Sequence, residues 1–308
     1  MSIVKMQKVA VIGLDEHKES IMTRLMDFGA VELTDQKSKL ADEEMKELVL
    51  LDDAQGAAEL DLKINQAETA LAFLEKYDKS RAPLFKTRRA ISKADGEKIK
   101  AQMEDTEKDI LEVLRLEESL RDIKEQMNKL EQDRILLNPW VNYGIPLNMR
   151  ETHKTVMKAG VTPAGSDVEG LVKEVDEIPG VVIKLVNRDR DLNYLGIMCL
   201  KSVEEQTFGL LKQKGFSEIS FKGFENDVPT NLARIEKEKN VLQNNILEIE
   251  NEVSQKVSLR RAIENYADMV TIASDKEKIK SNFLKTEKTF YMEGWIPSKL
   301  VKKAEKIL

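Results

Sequence analysis

After Pro229 the apolar residues Leu232, Ile235, Leu242, Ile246, Ile249 and Val253 step by threes, fours and sevens. No other feature constrains the fold so strongly. The spacing places them on one stripe of a helix that Thr230 or Asn231 can cap and that continues to about Ile279. About 50 residues at 1.5 Å each give a rod on the order of 75 Å, far longer than an ordinary globular helix. Glu, Lys and Asn flank the stripe, so the seam is apolar and its surroundings are solvated. Such a rod is stable only when other helices cover its seam.

Two earlier segments can supply that cover. From about 41 to 77, Met45, Leu48, Leu51, Ala54, Ala58 and Leu62 are separated by three or four. From about 95 to 137, Ile99, Met103, Ile110, Leu116, Leu120, Ile123, Met127 and Leu130 form a near-heptad stripe. Between them "KSRAPLFKTRRAISKA" breaks the pattern with Pro83, and "LLNPWVNYGIPL" ends the second helix with two prolines and a glycine. Charged residues are 34% of the chain and aromatics 5%, which suits long solvated helices better than one large core. A simple hairpin of the first two helices would return the chain to the end where it started. Lobes at opposite ends need an odd number of traverses, through a bend near Gln55 and Gly56 or a crossing by residues 79–94.

The residues between the second and third helices read as a compact α/β insert. "HKTVMKAGV" is a strand, "DVEGLVKEV" a helix, "GVVIKLVNR" and "LNYLGIMCL" two strands around the turn "DRD", "VEEQTFGLLKQKG" a helix and "FSEISFK" a strand. The order β-α-β-β-α-β is ferredoxin-like, an antiparallel sheet with helices on one face. The chain ends repeat its beginning. "MQKVAVIGL" is a strand, "DEHKESIMTRLMDFGA" a helix stopped by Gly29, and "VELTD" a second strand. "EKTFYMEGW" and "PSKLVKKAEKIL" then supply a strand and a helix some 250 residues later. The expectation is a second ferredoxin-like lobe, split by the helical excursion, whose last strand lies beyond Leu308. Within it Pro297 with Ser298 opens the final helix, and Trp295 packs on the first helix around Leu25 and Phe28.

Several function classes are disfavoured. A net charge of -6 argues against nucleic acid as the main partner. The single Cys199 forms no internal disulfide and sits in the apolar run "LGIMCL", where it reads as a buried small hydrophobe in a reducing compartment. "VAVIGLDEH" has one glycine where a dinucleotide site needs three. His17 and His153 have no partner at metal-ligand spacing, and Ser20 and Ser166 have no adjacent base. Glu43 with Glu44 and Glu117 with Glu118 read as solvated helix surface. Lys86, Arg88, Arg89 and Lys93 form a basic cluster that can meet anionic lipid or an acidic partner and more simply reads as solvated loop. No run approaches the ~18 apolar residues that span a bilayer, so the chain reads as soluble. No catalytic, cofactor-binding or metal-binding residue can be named, and no cofactor or small-molecule substrate is expected.

The opening "VKMQKVAVIGLDEHKESIMTRLMDFGAVELTD" and the closing "YMEGWIPSKL" resemble the two ends of the cytoplasmic half of the membrane stator subunit of V-type and archaeal-type rotary ATPases, called subunit a or subunit I. In that comparison Gly29, Gly294, Trp295 and Pro297 carry the structural motif. The resemblance implies an α+β chain, with two ferredoxin-like lobes joined by a long antiparallel helical bundle or coiled coil. Residues 1–36 and 285–308 would form the proximal lobe, 37–150 and 226–284 the bundle, and 151–225 the distal lobe. It implies a non-enzymatic stator part of an ion-translocating complex at the cytoplasmic face of the membrane. Both lobes would hold peripheral-stalk heterodimers, and a membrane domain would follow. The residues leave two other readings open: a freestanding coiled-coil adaptor with protein-binding lobes, and a metabolite sensor. The coding sequence past Leu308 discriminates, since transmembrane helices support the stator and an immediate stop favours the adaptor.

Overall fold

The computed structural model describes residues 4–34, 50–51, 55–80, 92–280 and 283–308. In chain order the elements are β1 (Met6–Leu14), α1 (Lys18–Phe28), β2 (Glu32–Leu33), β3 (Leu50–Leu51), α2 (Gln55–Glu75), α3 (Lys93–Ala101), α4 (Met103–Leu137), β4 (Thr155–Pro163), α5 (Val168–Asp176), β5 (Val181–Arg188), β6 (Leu192–Leu200), α6 (Glu204–Gln213), β7 (Ser217–Ile219), α7 (Val228–Lys256), α8 (Arg260–Lys280), β8 (Leu284–Lys285), β9 (Thr289–Pro297) and α9 (Val301–Glu305). Only a 3-10 turn, Val257–Leu259, separates α7 from α8. The chain divides into one unit of residues 1–116 and 253–308 and a second of residues 117–252.

In the first unit β9 is the central strand. It pairs antiparallel with all of β1, from Met6 opposite Pro297 to Leu14 opposite Thr289. On its other side Leu33 of β2 faces Gly294, and β8 pairs further along. Two segments at least 275 residues apart in sequence, Leu14 opposite Thr289 at the nearest, therefore form the longest ladder of the unit. The far edge of β1 carries no strand among the described residues. Met22 and Leu25 of α1 pack with Phe283, Phe290 and Met292 against one face of this sheet. Gly29 ends α1 in the left-handed conformation, φ 65°, with its N–H on the Leu25 carbonyl at 3.0 Å. A side chain there would carry the steric cost that glycine avoids.

The helices of this unit pack along α2 and α8. Ala67, Ala70, Phe73 and Leu74 of α2 are buried, as are Ile263, Tyr266, Val270 and Ser274 of α8 and Ile110 and Val113 of α4. Small alanines let helix backbones approach closely, so short side chains can seal this seam. The buried stripe of α2 is not the one expected from spacing. Ala58 is exposed and Leu62 is 59% exposed. The protected residues instead follow Ala57, Ala67, Ala70 and Leu74. Apolar residues occur on two sides of this helix, and spacing alone selected the wrong one. Met45, Leu48, Glu43 and Glu44 lie outside the described residues.

In the second unit the element order β4-α5-β5-β6-α6-β7 gives a sheet ordered β5-β6-β4-β7, the ferredoxin-like arrangement, antiparallel throughout. Leu195, Ile197 and Cys199 of β6 meet Leu171 and Val175 of α5 and Phe208 and Leu211 of α6. The opposite face of the sheet is also covered. Trp140, Tyr143 and Leu147, from the segment that ends α4, pack with Tyr194, Phe221, Phe224 and Ile235. Trp140 is fully buried and meets Tyr143, Tyr194 and Phe221 edge to face at 5.3 to 5.7 Å. The sequence read this segment as a helix terminator; it is core as well.

Candidate functional surface

Strand alternation decides what the split lobe shows to solvent. In β1 the odd-numbered Val9 and Val11 turn toward the helices, while Met6, Ile12 and Leu14 are exposed, Ile12 at 73%. Opposite them in register, Tyr291, Glu293 and Trp295 of β9 share this outer face. Trp295 is 41% exposed, and the residues of β9 that reach the core are Phe290, Met292 and Ile296. The expected packing of Trp295 on Leu25 and Phe28 is therefore corrected. Period-two alternation puts Trp295 one residue out of phase with the helix-facing set, and Met292 takes the place beside Leu25.

Glu293 is a buried carboxylate in the middle of this outer face. Lys8 Nζ stands 2.8 Å from it, and the Tyr291 hydroxyl donates to Glu293 Oε1. The charge is thus paired where burial would otherwise penalise it. Gly294 is required by the close approach of β2, because a Cβ there would lie 2.6 Å from the Glu32 carbonyl oxygen and 3.1 Å from Val31. Pro297 closes β9 and leads into a 3-10 turn, Ser298–Leu300, before α9. Ser298 ties this corner to the start of the chain through its N–H and hydroxyl, both donating to the Lys5 carbonyl at 2.9 and 3.0 Å. The four motif residues thus serve one lobe, with Gly29 on its helix and the other three on its central strand.

Charged contacts tie helices together. Asp61 of α2 accepts from Lys278 at 2.8 Å and Ser274 at 2.7 Å of α8, and these bonds hold its carboxyl below the usual range. Lys63 reaches Glu107 of α4 at 3.0 Å, and Lys256 reaches Glu112 at 2.7 Å. Arg260 pairs with Asp78. In the second unit Arg134 and Lys239 hold Glu131, whose pKa falls to about 2. Each exposed pair contributes little free energy, roughly 0–1 kcal/mol, but pairs that bridge helices fix their register.

Among the described residues, the titratable groups singled out in the sequence lie on different elements. Cys199 is fully buried and burial pushes its thiol up, away from the reactive thiolate. His17 ends a 3-10 turn at the surface, 3.6 Å from Glu16, and His153 precedes β4. Among the described residues no three His, Cys, Asp or Glu side chains cluster as metal ligands. Lys86, Arg88 and Arg89 lie outside the described residues, and Lys93 begins α3. No helix among the described residues is long and apolar enough to cross a membrane.

Fold and surface together define a class: a chain of two antiparallel α+β lobes and long helices, in which one sheet turns Ile12, Leu14 and Trp295 to solvent. The particular likeness is to a crystal structure of the cytoplasmic N-terminal domain of subunit I, homolog of subunit a, of V-ATPase. The match covers 97% of this chain and 95% of that one, with a TM-score of 0.54 and 13% identity. At that identity the likeness establishes the fold. No family model matches the sequence, and no curated protein matches it.

Proposed function

We propose that this chain is the cytoplasmic stator part of the ion-translocating membrane subunit of a rotary ATPase, a non-catalytic scaffold whose lobes hold peripheral stalks against rotor torque. The observation that carries the reading is the fold likeness, which runs through both lobes and the helices between them in sequence rather than through one common domain. The physics agrees. A stator transmits force without a reactive group, and it needs helices that resist sliding. The buried α2–α8 seam and the bridging pairs of Asp61, Glu107 and Glu112 meet that need. The finely mixed surface charge suits screened, reversible contact with other helices.

The test is binding of the whole chain to the peripheral-stalk heterodimer of the same organism, followed by calorimetry at two salt concentrations. Weak binding that weakens further with salt is expected. Absence of binding at high micromolar concentration would sink the reading.

A further inference from the structure

In the second unit α4 and α7 run antiparallel, bridged by Glu131 and Lys239 at 2.7 Å, and an open groove of about 790 Å³ lies along them. Its apolar lining is Leu130 of α4, Val241 and Leu242 of α7, and Phe224 from the turn before α7. Val241 is 52% exposed there. The rim is cationic, with Lys129, Lys222, Arg234 and Lys237 against Asp133 and Glu238. Arg234 is neutralised by Glu238 at 3.1 Å. Lys129, Lys222 and Lys237 are exposed and have no ion-pair partner among the described residues. A chain of net charge -6 thus concentrates unpaired positive charge around one apolar furrow.

We infer that this groove docks an amphipathic helix of a partner protein, with its apolar residues against Leu130, Val241 and Leu242 and its acidic flanks against the three lysines. The shape selects a helix. On α4 the lining recurs at Gln126, Leu130 and Asp133, and on α7 at Arg234, Lys237 or Glu238, and Val241, a track of two turns or about 10 Å on each. A third helix laid between two such tracks meets them with i, i+3, i+4 and i+7 positions, the helix-in-groove mode. The charge selects an acidic one, since an uncompensated basic rim attracts acidic flanks and disfavours basic ones. This rests on the stator reading, which supplies a coiled-coil stalk as the partner, and adds the face and the charge of the helix that would bind.

The experiment uses the whole chain and the stalk heterodimer. The triple variant Lys129→Glu, Lys222→Glu, Lys237→Glu should weaken binding at least ~10-fold and flatten its salt dependence, because rim charges act through screened attraction. The matching triple Lys→Arg variant should bind as the parent does. Val241→Asp, at an exposed position, should weaken binding while circular dichroism and thermal midpoint stay unchanged. A parent chain that binds the stalk and a charge-reversed chain that binds it equally well would overturn the groove and leave the stator reading standing. A parent chain that does not bind removes both. If reversal abolishes binding to vesicles containing phosphatidylserine but leaves stalk affinity intact, the basic rim serves lipid and the helix proposal fails.

Discussion

The chain's two tryptophans, both in motifs of aromatic and proline residues, make a controlled comparison. Trp140 has no exposed surface and is ringed by three aromatic side chains, whereas Trp295 is 41% exposed on the sheet face. Truncating a fully buried Trp to Ala costs about 3–5 kcal/mol from lost transfer energy and the cavity left behind. An area estimate agrees: burying roughly 200 Å² at about 25 cal/mol per Å² gives ~5 kcal/mol as an upper bound. Trp295 engages mainly cross-strand neighbours, each contact worth about 0.2–1 kcal/mol. Trp140→Ala should therefore lower the stability of its unit by at least about 3 kcal/mol, and Trp295→Ala by about 1 kcal/mol or less. Trp140→Phe should be mild by comparison. The indole Nε1–H has no acceptor among the described residues, and removing a buried unpaired donor recovers part of its roughly 1–3 kcal/mol desolvation cost. Urea denaturation followed by circular dichroism measures all three. Trp295→Phe leaves Trp140 as the sole indole, whose emission should be blue-shifted and shielded from acrylamide; Trp140→Phe leaves Trp295, which should be quenched. Equal destabilisation by the two alanine variants, or equal quenching of the two indoles, would refute the assignment of Trp140 to the core.

Gly294→Ala should destabilise the split lobe by about 1–3 kcal/mol, since the new methyl meets the Glu32 carbonyl, and a lowered thermal midpoint would show it. Glu131 has its folded pKa depressed from 4.5 to about 2, so the stability it contributes is present above pH 4.5 and is lost as pH falls toward about 2. Glu131→Gln should flatten that part of the curve of urea midpoint against pH, and an unchanged curve would discount the Arg134 and Lys239 contacts. Cys199 should react with a thiol reagent only as fast as the second unit opens, so its labelling rate should rise steeply with urea; fast labelling of the native chain would contradict its burial.

Sequence alone determined most of the elements and their order, although Leu51, read into the first long helix, lies in the short strand β3. Period-two and period-3.6 apolar spacing is local, so it located the strand-helix-strand opening, the six pieces of the insert and the long third helix. Gly29 as the stop of α1 was equally legible, because a left-handed helix end asks for glycine whatever surrounds it. The return of "TFYMEGWIP" to "MQKVAVIGL" followed from completing a known β-α-β pattern and was realised as a nine-residue ladder. Only tertiary structure decided which side of an element is inside. Leu62 and Trp295 are large and apolar yet face outward, while Ala67 and Ala70 are small and buried, because burial depends on what packs opposite rather than on hydrophobicity. The same holds for "NPWVNY", which reads locally as a helix stop but supplies Trp140 and Tyr143 to the second face of a sheet formed by residues up to 80 positions away. The lysine-rimmed groove is likewise invisible in one dimension. Lys129 and Lys222 line one groove only because α4 and the turn before α7 are folded onto one unit, and charge acts through space rather than along the chain.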